Sequence, residues 1–330
     1  MRYRSDEGVM GGEVGVLVTI SVKRPGGHRL PRYRSSSMAD HRRVLIDGIP
    51  TEVVRDGDDL VADDGSRIAA KLAIHLPPVE PTKIIAVHLN YRSRVEEFMT
   101  RLPSAPTYFH KPITALNSHG GEVVRPPGCR YLNYEGEIAI VIGSTCRNIA
   151  PEEADGYIAG YTIANDFGLH DFRDTDAGSM LRVKGSDTLC PLGPGVVTDW
   201  DFRSKTIITR VNDEVRQHGT TNEMEWDMAY LVADLARTIT LVAGDVILSG
   251  TPAGSRPVEP GDVVTVAVDG LGELTSLIVE GPVPIRSDVG AQPSESEEVV
   301  STALGGDWEH RGVRAPTGPG SAHYESRLDV

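Results

Sequence analysis

Glu135-Gly136-Glu137, followed by Asp166 at the end of the next apolar run, holds the residue types in this chain best spaced for chemistry. In an extended segment successive side chains alternate between faces, so Glu135 and Glu137 point the same way. A third carboxylate arriving from a neighbouring strand would complete a facial set of oxygens. Such a set suits a hard divalent cation, Mg²⁺ or Mn²⁺, with water and substrate oxygens filling the remaining positions. Two glutamates at i and i+2 are also the ordinary wet face of an edge strand, and spacing alone does not separate the two readings.

The elements around these acids favour the first reading. Glu137 to Gly143 is a nearly continuous apolar run of the kind buried on both faces, and an unpaired carboxylate at its start would be expensive. Tyr157 to Ala164 is a second such run, and it delivers Asn165-Asp166 to a strand end, where chemistry is usually placed. Upstream, short strand-like pieces from Arg43 to Ala62 are broken by Asp47-Gly48 and Asp56-Gly57, which predicts a small antiparallel unit. Leu76-Pro77-Pro78 and Glu80-Pro81 read as a stiff linker. Helices are few: one starting at Pro151, and a clearer one over Met224 to Ile239, where Met224, Met228, Leu231, Leu235 and Ile239 fall near helical spacing. Val246 to Ser249, Val263 to Val268 and Leu274 to Val279 return to strands.

The expected organisation is a disordered extension over residues 1–38, a small N-terminal β domain and linker over 39–81, a catalytic domain over 82–283, and a disordered acidic tail over 284–330. Met38 is a candidate natural start. Val14 to Val22 is apolar but lacks a following cleavage pattern, so it is not read as a signal peptide. The fold class is mixed α/β and β-rich, without the strand and helix alternation of a doubly wound sheet or a dinucleotide fingerprint.

Charge narrows the partners. The 330 residues carry a formal net charge of −14. Residues 1–38 hold seven basic and three acidic side chains, while residues 284–330 hold four basic and eight acidic, so the middle of the chain carries the acidity. An acidic body disfavours nucleic acid and anionic membrane and suits a cation-loaded site with a small-molecule substrate. Cys129, Cys146 and Cys190 are odd in number and without paired spacing, which points to a reducing cytoplasm. No apolar stretch is long enough to span a bilayer.

Several blocks together resemble the fumarylacetoacetate hydrolase superfamily: Leu89-Asn90-Tyr91, Tyr108-Phe109-His110-Lys111-Pro112, Tyr134 to Glu137, Gly160 to Asp166, Lys184 to Asp187, Pro191 to Pro194, and Gly244 to Pro252. They occur in family order across residues 82–280. The resemblance implies a β-sheet roll, usually homodimeric. It makes Glu135, Glu137 and Asp166 the ligands of Mg²⁺ or Mn²⁺ and places Lys184 against a developing oxyanion. Tyr91, Lys111 and Thr251 then fall at positions lining the substrate pocket. The family's substrates are oxo acids that chelate a metal, which with a nearby cation stabilises an enolate.

Two departures bear on the reaction. Many members that cleave C–C bonds carry a His-x-x-Glu pair after the Asn-Tyr motif. Here Glu97 is kept, but Arg94 stands where the histidine would be. A guanidinium stays protonated and cannot act as a base, although it grips carboxylates well. After the metal aspartate, several hydrolases carry an arginine four residues on and a glutamine three further, whereas this chain has His170 and Arg173. His170 is a candidate acid or base, or alternatively a structural histidine; Arg173 is a candidate clamp. His88, His110 and His119 also lie near pocket motifs.

The resulting expectation is a metal-dependent decarboxylase or isomerase of a small 2-oxo or 2-hydroxy-dienoic di- or tricarboxylic acid from aromatic-compound breakdown. The pattern resembles the 2-hydroxyhepta-2,4-diene-1,7-dioate isomerase and 5-carboxymethyl-2-oxo-hex-3-ene-1,7-dioate decarboxylase branch. A C–C hydrolase of acylpyruvates or fumarylpyruvate, using Glu97 or His170 to recruit water, is the alternative. A catalytically silent metal-binding paralogue is the alternative of another class.

Overall fold

The computed structural model describes residues 38–305. Residues 1–37 and 306–330, and with them most of the two expected disordered ends, lie outside the described residues. Ten strands form the path of the main sheet: Arg67–Ala69, Asp59–Ala62, Ile49–Asp56, Asp40–Ile46, Cys190–Val197, Ile158–Asn165, Gly136–Ile142, Val246–Leu248, Ile84–Val87 and Tyr108–Lys111. Ile74–Leu76 and Leu116–Ser118 join it at the side, making twelve. A five-stranded sheet runs Glu214–Thr220, Thr206–Val211, Val263–Val268, Gly272–Glu280, Glu122–Arg125. The protein is strand-rich with short helices, the mixed β-rich class expected.

Gly136–Ile142 is buried along its whole length, and its alternation divides two cores. Ala139 and Val141 join Phe109, Ala164, Leu169 and Val183 on one side; Ile138, Ile140 and Ile142 join Tyr161, Met228, Val232 and Leu274 on the other. Each fully buried Ile or Leu contributes about 1.5–3 kcal/mol, so this strand cannot slip by one residue without turning its carboxylates into the wrong core.

Three expectations need correction. The N-terminal β unit is not separate: Asp40, His41 and Arg42 pair with Val197, Val196 and Gly195, so its strands extend the main sheet. Its first hairpin turns at Asp47-Gly48, both at positive φ (51° and 76°), the geometry a two-residue hairpin loop demands. The helix expected over Met224 to Ile239 is confined to Met228–Ala236. Asp227 caps it by accepting from the Tyr230 N–H at 2.8 Å, while Asn90 holds Glu225 and Trp226 in a bend ahead of the helix through three hydrogen bonds of 2.8–2.9 Å. The segment at Pro151 is a 3₁₀ helix, Pro151–Gly156.

The third correction concerns the tail. Residues 284–305 are ordered against the body and include the helix Glu297–Leu304. Ser296 caps it, accepting from the Val299 N–H at 3.4 Å, and Val299, Val300 and Ala303 are buried. Composition hid this helix because its apolar face is only three residues wide. No helix among the described residues is long and apolar enough to cross a membrane.

Candidate metal centre and active site

Register brings the three acids together. Gly136 pairs with Asn165 and Glu137 with Ala164, so Glu135 and Asp166 lie opposite each other where the two strands end. The Asp166 N–H donates to the Glu135 carbonyl at 2.8 Å, and the Glu135 N–H donates to Asn165 Oδ1 at 2.8 Å. Gly136, between the glutamates, donates to Gln217 Oε1 at 3.0 Å, and its carbonyl accepts from the Thr251 hydroxyl at 2.8 Å. The result is one ligand atom from each of Glu135, Glu137 and Asp166, all within 4.8 Å of one another. Glu137 and Asp166 are each 1% exposed, which removes the wet-strand reading.

Cations crowd two of the three acids. Lys184 Nζ lies 2.5 Å from Glu135 Oε2, 3.1 Å from Asp166 Oδ2 and 2.8 Å from the Asp166 carbonyl. Lys111, fully buried, donates to Asp166 Oδ1 at 2.5 Å and to the Lys184 carbonyl. Arg94 reaches Glu135 Oε1 at 3.2 Å. Glu137 accepts only from the Gly250 N–H, at 2.7 Å, and among the described residues no cation pairs with it. Burial, then Asp166 and Glu135, push its carboxyl well above the usual range. Glu135 behaves oppositely: burial works against its charge, but Lys184 and Arg94 outweigh it and hold the carboxyl low. Burial likewise opposes the charge of Lys184, and Asp166 with Glu135 holds it above its ordinary value.

An all-oxygen trio with one member that no cation pairs among the described residues is a good fit for a hard divalent cation, which would relieve Glu137 more directly than Lys184 does. The donor set lacks the thiolate or imidazole that softer metals favour.

The remaining expected site residues divide. His170 is 2% exposed and neither ring nitrogen has a hydrogen-bond partner. Burial, Lys184, Arg173 and Arg94 depress it well below the ordinary histidine value, so the ring is neutral. A methyl built on Gly168 would sit 3.1 Å from His170 Nε2 and 3.2 Å from Lys184 Nζ, so both nitrogens converge over the bare face of that glycine. Arg173 is buried, donates to Met180 Sδ, and its Nε, without a hydrogen-bond partner, stands 3.6 Å from Glu298.

Other placements differ from expectation. Arg94 is engaged by acids of the protein itself: it pairs with Glu97 at 2.5 Å and Glu135 at 3.2 Å, and stacks on Phe98. Glu97 is held by Arg94, by Arg256 at 2.5 Å and by the Gly254 N–H at 3.3 Å. Lys111 secures Asp166 and the Lys184 backbone. Thr251 uses its hydroxyl on Gly136 and accepts from Gln217 Nε2 at 2.9 Å, so it braces the acidic strand. Tyr91 is fully buried in the second core beside Ile138 and Ile140, with an unpartnered hydroxyl pushed up by burial and by Glu137.

Gln217 was missed, because nothing in its sequence neighbourhood marks a residue that bonds across from another sheet. His88 was noted only as lying near a motif. Burial depresses it to about 4, with Arg173 and Lys184 lowering it further and Glu135 and Asp166 opposing, which places it electrostatically among the site groups.

The sequence profile of the fumarylacetoacetate (FAA) hydrolase C-terminal family matches residues 83–279. The chain belongs to the fumarylacetoacetate hydrolase family. It is 35% identical over 243 residues to the 4-hydroxyphenylacetate degradation bifunctional isomerase/decarboxylase of Salmonella dublin, covering 73% of this chain and 55% of that protein. The chain thus spans about half the length of that relative. Among solved structures it resembles a 5-carboxymethyl-2-hydroxymuconate delta-isomerase from Mycobacterium smegmatis, with 36% identity, a TM-score of 0.68, and coverage of 73% of this chain and 99% of that one. It also resembles a maleylpyruvate hydrolase from Sphingobium sp. SYK-6 in complex with manganese(II) and pyruvate, with 28% identity, a TM-score of 0.63, and coverage of 73% and 99%. Members of this family are isomerases, decarboxylases, hydrolases and a tautomerase.

Proposed function

We propose that this protein is a divalent-metal-dependent isomerase or decarboxylase of a small 2-oxo or 2-hydroxy-dienoic acid carrying two or three carboxylates. The observation that carries the reading is Arg94. It stands where a water-activating histidine would be and is locked in ion pairs with Glu97 and Glu135. Glu97, tied to Arg94, Arg256 and a backbone N–H, is equally poorly placed to take a proton from water. Reactions that do not consume activated water are favoured.

Glu135, Glu137 and Asp166 would hold Mg²⁺ or Mn²⁺, which supplies Lewis-acid polarisation of a 2-oxo acid. Lys184 Nζ faces the same space and donates to the oxygen that gains charge as an enolate forms. The neutral His170 ring, with free nitrogens, moves a proton to or from the substrate carbon chain. Arg173 holds a distal carboxylate. A cytoplasmic homodimer is part of the same proposal, and light scattering of the purified protein tests the dimer.

The alternative, C–C bond hydrolysis of an acylpyruvate or fumarylpyruvate, draws support from the similarity to the maleylpyruvate hydrolase and requires His170 to recruit water. Ultraviolet absorbance of oxaloacetate, acylpyruvates and hydroxy-dienoates, with and without Mn²⁺, separates the readings. Release of CO₂ or a shifted double bond with no second acid fits the proposal; two acids from one diketone identifies a hydrolase. Glu137→Gln should abolish the absorbance change. If purified protein binds Mn²⁺ yet leaves the whole panel unchanged, a catalytically silent metal-binding role replaces the enzymatic one.

A further inference from the structure

Residues 284–305 lie beyond the family-matched region, which ends at 279, yet they reach the walls of the site. Ile285 and Ala291 pack against the first core, and the first polar anchor to the site's walls is Ser294, whose N–H donates to the Asp171 carbonyl at 2.9 Å and whose hydroxyl donates to Asp174 at 2.7 Å. Glu295 pairs with Arg130 at 2.7 Å. The helix Glu297–Leu304 then runs about 12 Å, packing on the 170–176 segment that follows the metal aspartate. At its far end the Ala303 carbonyl accepts from Asn133 Nδ2 at 2.8 Å, two residues before Glu135. Gly305 abuts the other wall: a methyl built there would lie 2.9 Å from Glu97 Oε1 and 3.1 Å from Arg256 Nη1.

The segment therefore bridges the His170 side of the site to the Glu97 side, and the groups between are shut in: Arg94, Glu137, Asp166, His170 and Lys184 are each 3% exposed or less. A substrate with several carboxylates cannot reach them unless something moves. This bridge is lightly held: its helix rests on three buried apolar side chains and a handful of polar contacts. Its charge is also pertinent. Residues 287–305 carry Asp288, Glu295, Glu297 and Glu298 and no Lys or Arg. Glu298 is the acid nearest the buried Arg173 guanidinium among the ion pairs described.

We propose that residues 284–305 form a strap that closes the active site, with the Glu298 carboxylate standing against Arg173 where the distal carboxylate of a substrate would go. The assignment of Arg173 to a substrate carboxylate rests on the function proposed above; the closure of the site does not. Substrate opens the strap by replacing Glu298 at Arg173, so acids with a second carboxylate are favoured over monocarboxylates of the same core.

The test uses the full chain with Val299→Asp, which puts a charge on the buried face of the strap helix, and Glu298→Gln, which removes the competing carboxylate. Since Val299→Asp could unfold more than the strap, Ser294→Ala/Ser296→Ala, which removes the polar anchor and the helix cap, is measured beside it. Three readouts are taken: amide hydrogen exchange over 166–174 and 294–305, the rate of Mn²⁺ uptake followed by loss of the free-ion electron paramagnetic resonance signal, and KM for di- and monocarboxylic 2-oxo acids. The strap predicts at least about tenfold faster exchange and Mn²⁺ uptake in Val299→Asp and in the double serine variant, with strand amides 136–142 still protected. Glu298→Gln lowers KM several-fold for the dicarboxylate alone. Unchanged uptake and unchanged exchange at 166–174, in variants whose 294–305 amides exchange freely, overturn closure. Equal KM changes for both acids overturn the role of Glu298. Faster uptake without turnover of any acid leaves the strap standing and removes the function proposed above.

Discussion

Lys111→Met separates a holding role from a substrate-binding one. The ammonium is fully buried and its donors go to Asp166 Oδ1 and the Lys184 carbonyl, with a longer contact to the Phe167 carbonyl. Methionine matches the stem in volume but donates nothing, so the carboxylate loses one of its two lysines and the Lys184 carbonyl loses its donor. Removing one partner of a buried pair costs about 3–5 kcal/mol. The lower end applies because Lys184 remains 3.1 Å from Asp166. At about 2–4 °C per kcal/mol for a domain of this size, the metal-free midpoint should fall by about 6–12 °C. Added Mn²⁺ should recover part of that loss, since a cation on Asp166 replaces the missing charge, and its affinity should drop because the ligand is no longer fixed. Differential scanning calorimetry in EDTA and in Mn²⁺ measures both. A variant that melts within about 2 °C of wild type while its KM rises would refute the argument and return Lys111 to the substrate pocket.

Three further outcomes follow from the same geometry. Thr251→Val deletes the bond to the Gly136 carbonyl and the acceptor for Gln217, so stability should fall by about 1–3 kcal/mol in urea unfolding with KM little changed. His88, depressed to about 4 chiefly by burial, should show no imidazole titration near 6.5 in NMR. Because its folded value lies below its unfolded one, its contribution to stability is intact above about 6.5 and is lost as pH falls toward 4. Glu137 carries the reverse sign: its raised carboxyl stays protonated after the unfolded chain has ionised, so metal-free protein loses stability as pH rises from about 4.5 through the raised value. Glu137→Gln should therefore melt higher than wild type in EDTA and lower in Mn²⁺; the opposite order in EDTA would contradict the electrostatics described for the trio.

What the sequence disclosed and withheld has a physical pattern. Apolar runs bounded by Asp-Gly turns report strands because the signal is local, and the Glu135, Glu137 and Asp166 trio was legible because side-chain alternation and a strand end are local too. The roles of Lys111 and Thr251 were not, since each is decided by what a distant segment presents: the Lys184 carbonyl in one case, Gly136 and Gln217 in the other. The helix Glu297–Leu304 escaped for a related reason. Its composition reads as a solvated tail, and only Asn133, Asp171 and Asp174 on the body give its polar groups a place to dock.

Charge balance then argues for the kind of substrate. Around the trio, Glu97, Glu135, Glu137 and Asp166 face Arg94, Arg256, Lys111 and Lys184, so the buried cluster is near neutral with every group ionised. A divalent cation bound there would make it doubly positive, and Arg173 would add a further charge once Glu298, 3.6 Å away, is displaced. Leaving that uncompensated in a buried site would be costly. On the function proposed above, a mono-anion would cover too little of it, whereas an oxo acid with two or three carboxylates would restore the balance beside Lys184 and the unpartnered nitrogens of His170. Arg94 contributes to that positive field and cannot accept a proton, which is why the function proposed above has the site stabilise an enolate rather than activate water.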